Sequence, residues 1–181
     1  MKLYIFLFLL LFNISNSMKP QIQLLKKCSF NSKYIYVSPG GIKGFYMLGV
    51  ISYIKNNYDI SDYQLIGASA GAWNIIPFAL SNDELNDKFL NEIFSYFENV
   101  VENKQKISLY NIQKDIKSIC EKCEKIEYHK INIVSNNLSL RGFRPVLINN
   151  FSNMEDVTNY CIASSHIPYL TGNILCRINK K

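Results

Sequence analysis

Residues 65–76 read Leu65-Ile66-Gly67-Ala68-Ser69-Ala70-Gly71-Ala72-Trp73-Asn74-Ile75-Ile76, and this stretch decides the fold. The apolar run Tyr63 to Ile66 predicts a buried strand. Ala72 to Ile76 predicts the first turns of a helix. Between them, Gly67-Ala68-Ser69-Ala70-Gly71 satisfies G-x-S-x-G, the pattern of a serine held on a sharp strand-to-helix turn. The small residues have a steric reason: strand and helix nearly touch there, and larger side chains would collide. Gly67, Ala68, Ala70 and Gly71 are all small, beyond what the bare pattern demands. Ser69 then stands at a helix N-terminus, where free N–H groups favour developing negative charge.

Upstream, residues 34–50 read Tyr-Ile-Tyr-Val-Ser-Pro-Gly-Gly-Ile-Lys-Gly-Phe-Tyr-Met-Leu-Gly-Val. Tyr34 to Val37 alternates as a strand. A glycine turn follows, and then a helical pattern carried by Phe45, Leu48, Ile51 and Tyr53–Ile54. Backbone N–H groups in such a turn can donate to a tetrahedral oxyanion with no side chain in the way. Lys43 adds positive charge or ties the loop down. Taken alone, Gly40-Gly41-Ile42-Lys43-Gly44 is also compatible with a phosphate-cradling loop, though it matches neither G-x-x-x-x-G-K-[ST] nor G-x-G-x-x-G.

Together the segments resemble the patatin-like phospholipases, a family of lipid acyl hydrolases. Gly40-Gly41-Ile42-Lys43-Gly44 resembles the end of that family's glycine motif, and Leu48-Gly49-Val50 the helix after it. Gly67-Ala68-Ser69-Ala70-Gly71 resembles its nucleophile motif, and Ala163-Ser164-Ser165-His166-Ile167-Pro168 its A-S-x-x-I-P stretch. The Gly-Ala-Ser-Ala-Gly form is most similar to the adipose triglyceride lipase-like branch. The resemblance spans about residues 33–173. It implies an α/β fold, a three-layer sandwich with a mostly parallel central sheet flanked by helices. It also implies hydrolysis of acyl esters of phospholipids or neutral lipids. Ser69 would be the nucleophile, with Gly40, Gly41 and Ala70 as oxyanion donors, Lys43 and Gly44 as loop positions, and no metal or organic cofactor.

Two departures stand out. Pro39 replaces a glycine of the family motif and has no N–H to donate. The family's Ser–Asp dyad takes its Asp from an Asp-Gly motif after the Ile-Pro stretch, yet no Asp or Glu follows Asp156 here. The domain is thus expected to be incomplete at its C-terminus, a fragment or a fold completed by a protein partner. A catalytically inactive homologue that binds lipid or a partner is the competing expectation. The order Ser69, Asp156, His166 is that of a Ser–acid–His triad, but Asp156 reads better as a first-turn helix acid after Asn153. His129 reads as a solvated surface residue.

Lys2, the apolar run Leu3 to Phe12 and the small residues ending at Ser17 read as a signal peptide over residues 1–17. Residues 18–32 form a lead-in, and residues 33–181 the partial patatin-like domain. This predicts the secretory pathway or secretion; a retained leader would act as a membrane anchor. Asn137-Leu138-Ser139 and Asn150-Phe151-Ser152 are glycosylation sequons.

With 48% apolar residues, the chain can bury a core. Its net charge of +6 comes from scattered lysines, compatible with dwelling on anionic lipid or with solvated helix faces. No nucleic-acid module appears. The partners expected are therefore a lipid substrate or membrane surface. Of five cysteines, Cys120 and Cys123 have C-x-x-C spacing inside a helical stretch, with no second pair to complete a zinc site. Structural thiols are expected, with a disulfide or redox role as alternatives.

A helix should begin at Ser81-Asn82-Asp83-Glu84, with Leu85, Phe89, Leu90, Ile93, Phe94, Phe97 and Val100 on its apolar face. That face reads as core, or as the lining of an acyl pocket. A second helix is expected over 111–126, strands over 131–134 and 145–148, and a kink at Pro77.

Overall fold

A computed structural model describes residues 33–102, 108–139 and 142–172. The leader, the lead-in, Cys28 and Cys176 lie outside them. The fold is α/β: a four-stranded, mostly parallel sheet in the order β1-β2-β3-β4, flanked by helices.

Strand β1 (Lys33–Val37) runs through a 3₁₀ turn (Gly41–Phe45) into α1 (Tyr46–Asn57). Strand β2 (Tyr63–Ala68) follows, then α2 (Ala70–Ala79). Leu65, Ile66 and Gly67 are all buried, as a strand covered on both faces requires. Strand β3 (Ile131–Ser139) lies parallel to β2, with Leu65 opposite Ile131 and Ala68 opposite Val134. Buried Asn132 is satisfied there, its amide donating to Leu65 O at 3.1 Å and Lys130 O at 3.0 Å. Strand β4 (Gly142–Ile148) pairs antiparallel with β3, starting three residues before the expected strand. Pro145 sits opposite Asn136 on this edge, where a missing N–H is tolerated.

The helix expected from Ser81 differs in winding. Glu84–Leu90 is a π-helical segment that leads into α3 (Asn91–Glu102). A π turn holds more residues than an α turn. Its inward stripe therefore keeps a four-residue step, with Leu85, Phe89 and Ile93 all at 3% exposure or less. Phe94 falls off the stripe and is 52% exposed, which corrects its expected place on the apolar face; Tyr53 of α1, 61% exposed, is corrected likewise.

The next helix, α4 (Leu109–Cys120), is capped by Ser108, whose side chain accepts from Asn111 N. It ends six residues before the expected Ile126. Lys122 N and Cys123 N close tight turns onto Ile119 O and Cys120 O. Ile126 bridges instead to Leu80, flanked by Ser81 N to Lys125 O and Glu127 N to Ala79 O. Last comes α5 (Met154–Ser164), with Asn153 as its cap and Asp156 in its first turn.

Pro77 stands in the final turn of α2, two residues before the helix stops. The carbonyls freed there are collected by Lys55 from α1, whose ammonium donates to Pro77 O at 3.5 Å, to Phe78 O at 3.2 Å and to Leu80 O. Burial lowers this ammonium to about 8; Glu127 opposes the shift and Lys130 adds to it. The folded pKa thus lies below the ordinary 10.5, so the unfolded chain binds more protons between those values. The Lys55 contribution to stability is lowest below pH 8 and rises with pH through the window from 8 to 10.5. Urea midpoints of the protein and of Lys55→Met, compared from pH 7 to 10, should show the wild type gaining relative to the variant as pH rises. Parallel curves would exclude a perturbed Lys55.

The tightest packing lies where β1, β2 and α2 meet. A Cβ on Gly71 would stand 2.0 Å from Val37 O, and one on Gly67 2.4 Å from Gly71 O. Both contacts are with backbone, which cannot move aside. Gly71→Ala and Gly67→Ala should each cost at least about 3 kcal/mol, the top of the usual overpacking range. Gly49→Ala, with nothing within 4 Å of its Cβ, is the control. Chemical denaturation of the three variants checks this order.

Candidate functional site

Ser69 joins β2 to α2 with φ 54° and ψ −123°. A left-handed backbone at a residue with a Cβ is strained by about 1–3 kcal/mol and persists only where its surroundings enforce it. The surroundings are visible here. Gly67 and Gly71 let the backbones close on either side. Ser69 N donates to Ser164 Oγ at 2.8 Å, and Ser164 Oγ donates in turn to Val134 O at 2.6 Å. The serine is thus tied through the end of α5 to the middle of β3. Its own side chain makes no capping bond to the helix it precedes.

Ser69 opens on an apolar cavity of about 110 Å³. Gly41 and Gly44 of the glycine turn line it, with Ala70, Trp73 and Asn74 of α2. Phe45, Leu48, Phe89, Ile93, Leu109, Ile112 and Ile116 supply most of the apolar wall. The helix expected at Ser81 therefore serves as core through Leu85 and as pocket wall through Phe89 and Ile93. Phe97 packs edge-on against Phe45, ring centres 4.3 Å apart. Gly44 is closely packed, since a Cβ there would lie 3.0 Å from both Ala70 Cβ and Asn74 Nδ2.

Of the candidate oxyanion donors, Gly41 (φ 54°) and Ala70 share the cavity wall with Ser69. Gly40 is exposed, one residue before the 3₁₀ turn, and Lys43 is exposed on that turn; neither lines the cavity. Gly67, Ala68 and Gly71 lie behind Ser69 in the strand and helix.

The polar part of the wall centres on Ser165. Its Oγ accepts from Trp73 Nε1 at 3.0 Å and Gln113 Nε2 at 2.8 Å, and donates to Cys161 O at 2.7 Å. Trp73, Gln113, Ser164 and Ser165 are missed by sequence reasoning. A clue lay in the Ser164-Ser165 pair next to the Ile-Pro stretch.

All 14 Asp and Glu residues and both histidines belong to the described residues, and none of them lines the cavity. Asp156 is exposed and accepts from Asn153 Nδ2, while His166 lies beyond the other end of α5 against Thr171 Oγ1. Ten residues of mainly helical rise put about 15 Å between them, so the Ser69–Asp156–His166 order does not form a triad. His129 is exposed, as expected.

Cys120, Cys123 and Cys161 are buried free thiols. Burial pushes Cys123 up to about 11 and the other two well above the ordinary value, so all three stay protonated core residues at neutral pH. No cluster of His, Cys, Asp and Glu fit to hold a metal occurs among the described residues.

No protein-family model and no curated protein matches this chain. One solved structure, the heterodimeric complex ExoU-SpcU from the type III secretion system of Pseudomonas aeruginosa, aligns at 12% identity with a TM-score of 0.40. The alignment covers 82% of this chain and 39% of that one, so this chain spans about two fifths of its neighbour. Likeness at that level assigns neither family nor activity.

Ser164→Ala should leave Ser69 N–H without its acceptor and destabilise the protein by about 1–3 kcal/mol. Asn159→Ala, which loses only an exposed contact with Lys117, should cost less than about 0.5 kcal/mol. Equal costs in urea melts would show that the Ser164 link carries no special load.

Proposed function

We propose that the chain is a lipid acyl hydrolase domain of patatin-like type, with Ser69 as nucleophile. The observation that carries this reading is the left-handed Ser69 between β2 and α2, on the wall of an apolar cavity whose rim includes a glycine turn. In this reading Ser69 Oγ attacks the ester carbonyl carbon. The oxyanion is held by backbone N–H groups of Gly41 and Ala70, with Gly40 as a further candidate. The alcohol leaves with a proton, and water then cleaves the acyl-serine to the free acid. The apolar wall takes the acyl chain. Serine needs a base to act at neutral pH, and no carboxylate of this sequence stands on the cavity wall. The reading therefore requires a carboxylate from a longer product or a protein partner.

A second reading, a domain that binds an acyl lipid without turning it over, is favoured by that same wall free of Asp, Glu and His. The leader and the sequons belong to the proposal as a secretory route. Asn150 is exposed, as an acceptor must be.

Fatty-acid release from phospholipid and triacylglycerol by the longer product or partner complex that supplies the carboxylate, with Ser69→Ala as control, tests the choice. Hydrolysis should fall at least about a thousandfold in the variant. An ether-linked phospholipid that binds to the same extent in both, with no Ser69-dependent release, would support the binding role and overturn the hydrolase.

A further inference from the structure

Beyond α5 the chain makes a tight turn, Ile167-Pro168-Tyr169-Leu170-Thr171, that is built to stay in one shape. Thr171 is 3% exposed, and its hydroxyl accepts from Ile167 N at 2.8 Å and donates to Ile167 O at 3.1 Å. Thr171 N and Leu170 N also donate to Ile167 O, and Tyr169 N donates to Gly172 O. Both ends of the turn, Ile167 and Thr171, line the cavity. Its crest points outward: Tyr169 is 73% exposed, Leu170 50% and Ile167 42%. Tyr169 has φ 63°, a left-handed backbone that costs a bulky residue energy, and the turn holds an aromatic ring in water at that cost.

Two more exposed rings, Tyr46 at 80% and Tyr110 at 46%, each follow a cavity-lining residue, Phe45 and Leu109. Lys43 of the glycine turn is exposed beside the mouth, and the chain as a whole carries a net charge of +6.

We propose that this rim, with Tyr169 and Leu170 at its crest, is the face by which the protein settles on an anionic bilayer. Tyrosine and leucine are suited to the headgroup boundary, apolar body inward and phenol outward. Exposed lysine suits anionic headgroups. An acyl chain could then enter the cavity directly from the lipid. The proposal rests on the lipid reading of the cavity, but its test is separate from turnover.

The experiment is hydrogen–deuterium exchange on the whole chain, with and without vesicles of phosphatidylcholine and phosphatidylglycerol. Vesicles should slow exchange in the 163–172 peptides at least about fivefold. The slowing should vanish in Tyr169→Asn/Leu170→Ser, whose asparagine accepts the left-handed backbone. Attachment through the leader alone would leave exchange at the turn unchanged and overturn the proposal. Slowing at the turn in concentrated protein without vesicles would assign the rim to a second copy and overturn it too. Ser69-dependent ester cleavage, measured on the longer product or partner complex that supplies the carboxylate, is independent. Protection without cleavage leaves the docking face standing and removes the hydrolase; cleavage of a soluble short-chain ester without protection does the reverse.

Discussion

The site depends on one steric constraint, the approach of Gly71 to the carbonyl of Val37. A methyl group on Gly71 would overlap that oxygen, so β1 and the first turn of α2 touch backbone to backbone. This contact draws the end of β1, and the glycine turn that leaves it, over the N-terminus of α2. Gly67 allows the matching approach on the β2 side. Squeezed between the two, Ser69 has no room for an ordinary strand-to-helix transition and takes a left-handed backbone. The strain is local, and burial of Leu65, Ile66, Ile75 and Ile76 around it holds it in place.

Two adjacent serines from the far end of the chain complete the arrangement. Ser164 fixes the Ser69 backbone to β3, while Ser165 joins α2 and α4 through Trp73 and Gln113. The end of α5 therefore works as a clamp on both the serine and the cavity wall. The turn that follows closes the rim. Its outward aromatic crest is continuous with the inward apolar wall through Ile167, which belongs to both.

Much of this was legible in the residues. The step from Leu65 to Gly71 could be read because small residues have few other uses at such a density. The strand before the glycine turn and the Asn153 cap were equally plain. Three features were not. Ile126 continues the apolar period of α4, yet a bridge to Leu80 from 46 residues away draws it out of the helix. Phe94 follows the expected stripe, but π winding before it changes the phase. The Ser164 link spans 95 residues, a distance that local patterns do not report. Other points needed both views. The sequence shows that no acid follows Asp156, and the geometry adds that none of the earlier acids reaches the cavity wall.

The central claim is that packing presents Ser69 to the cavity as a nucleophile that a carboxylate from a longer product or partner completes, and its most direct test is chemical. The longer product, or the folded 181-residue protein with the partner that supplies the carboxylate, would be treated with a fluorophosphonate and the adduct located by mass spectrometry. Phosphonylation at Ser69, absent from Ser69→Ala, is the predicted result. A folded protein that leaves Ser69 unmodified, or reacts at another serine instead, would contradict it.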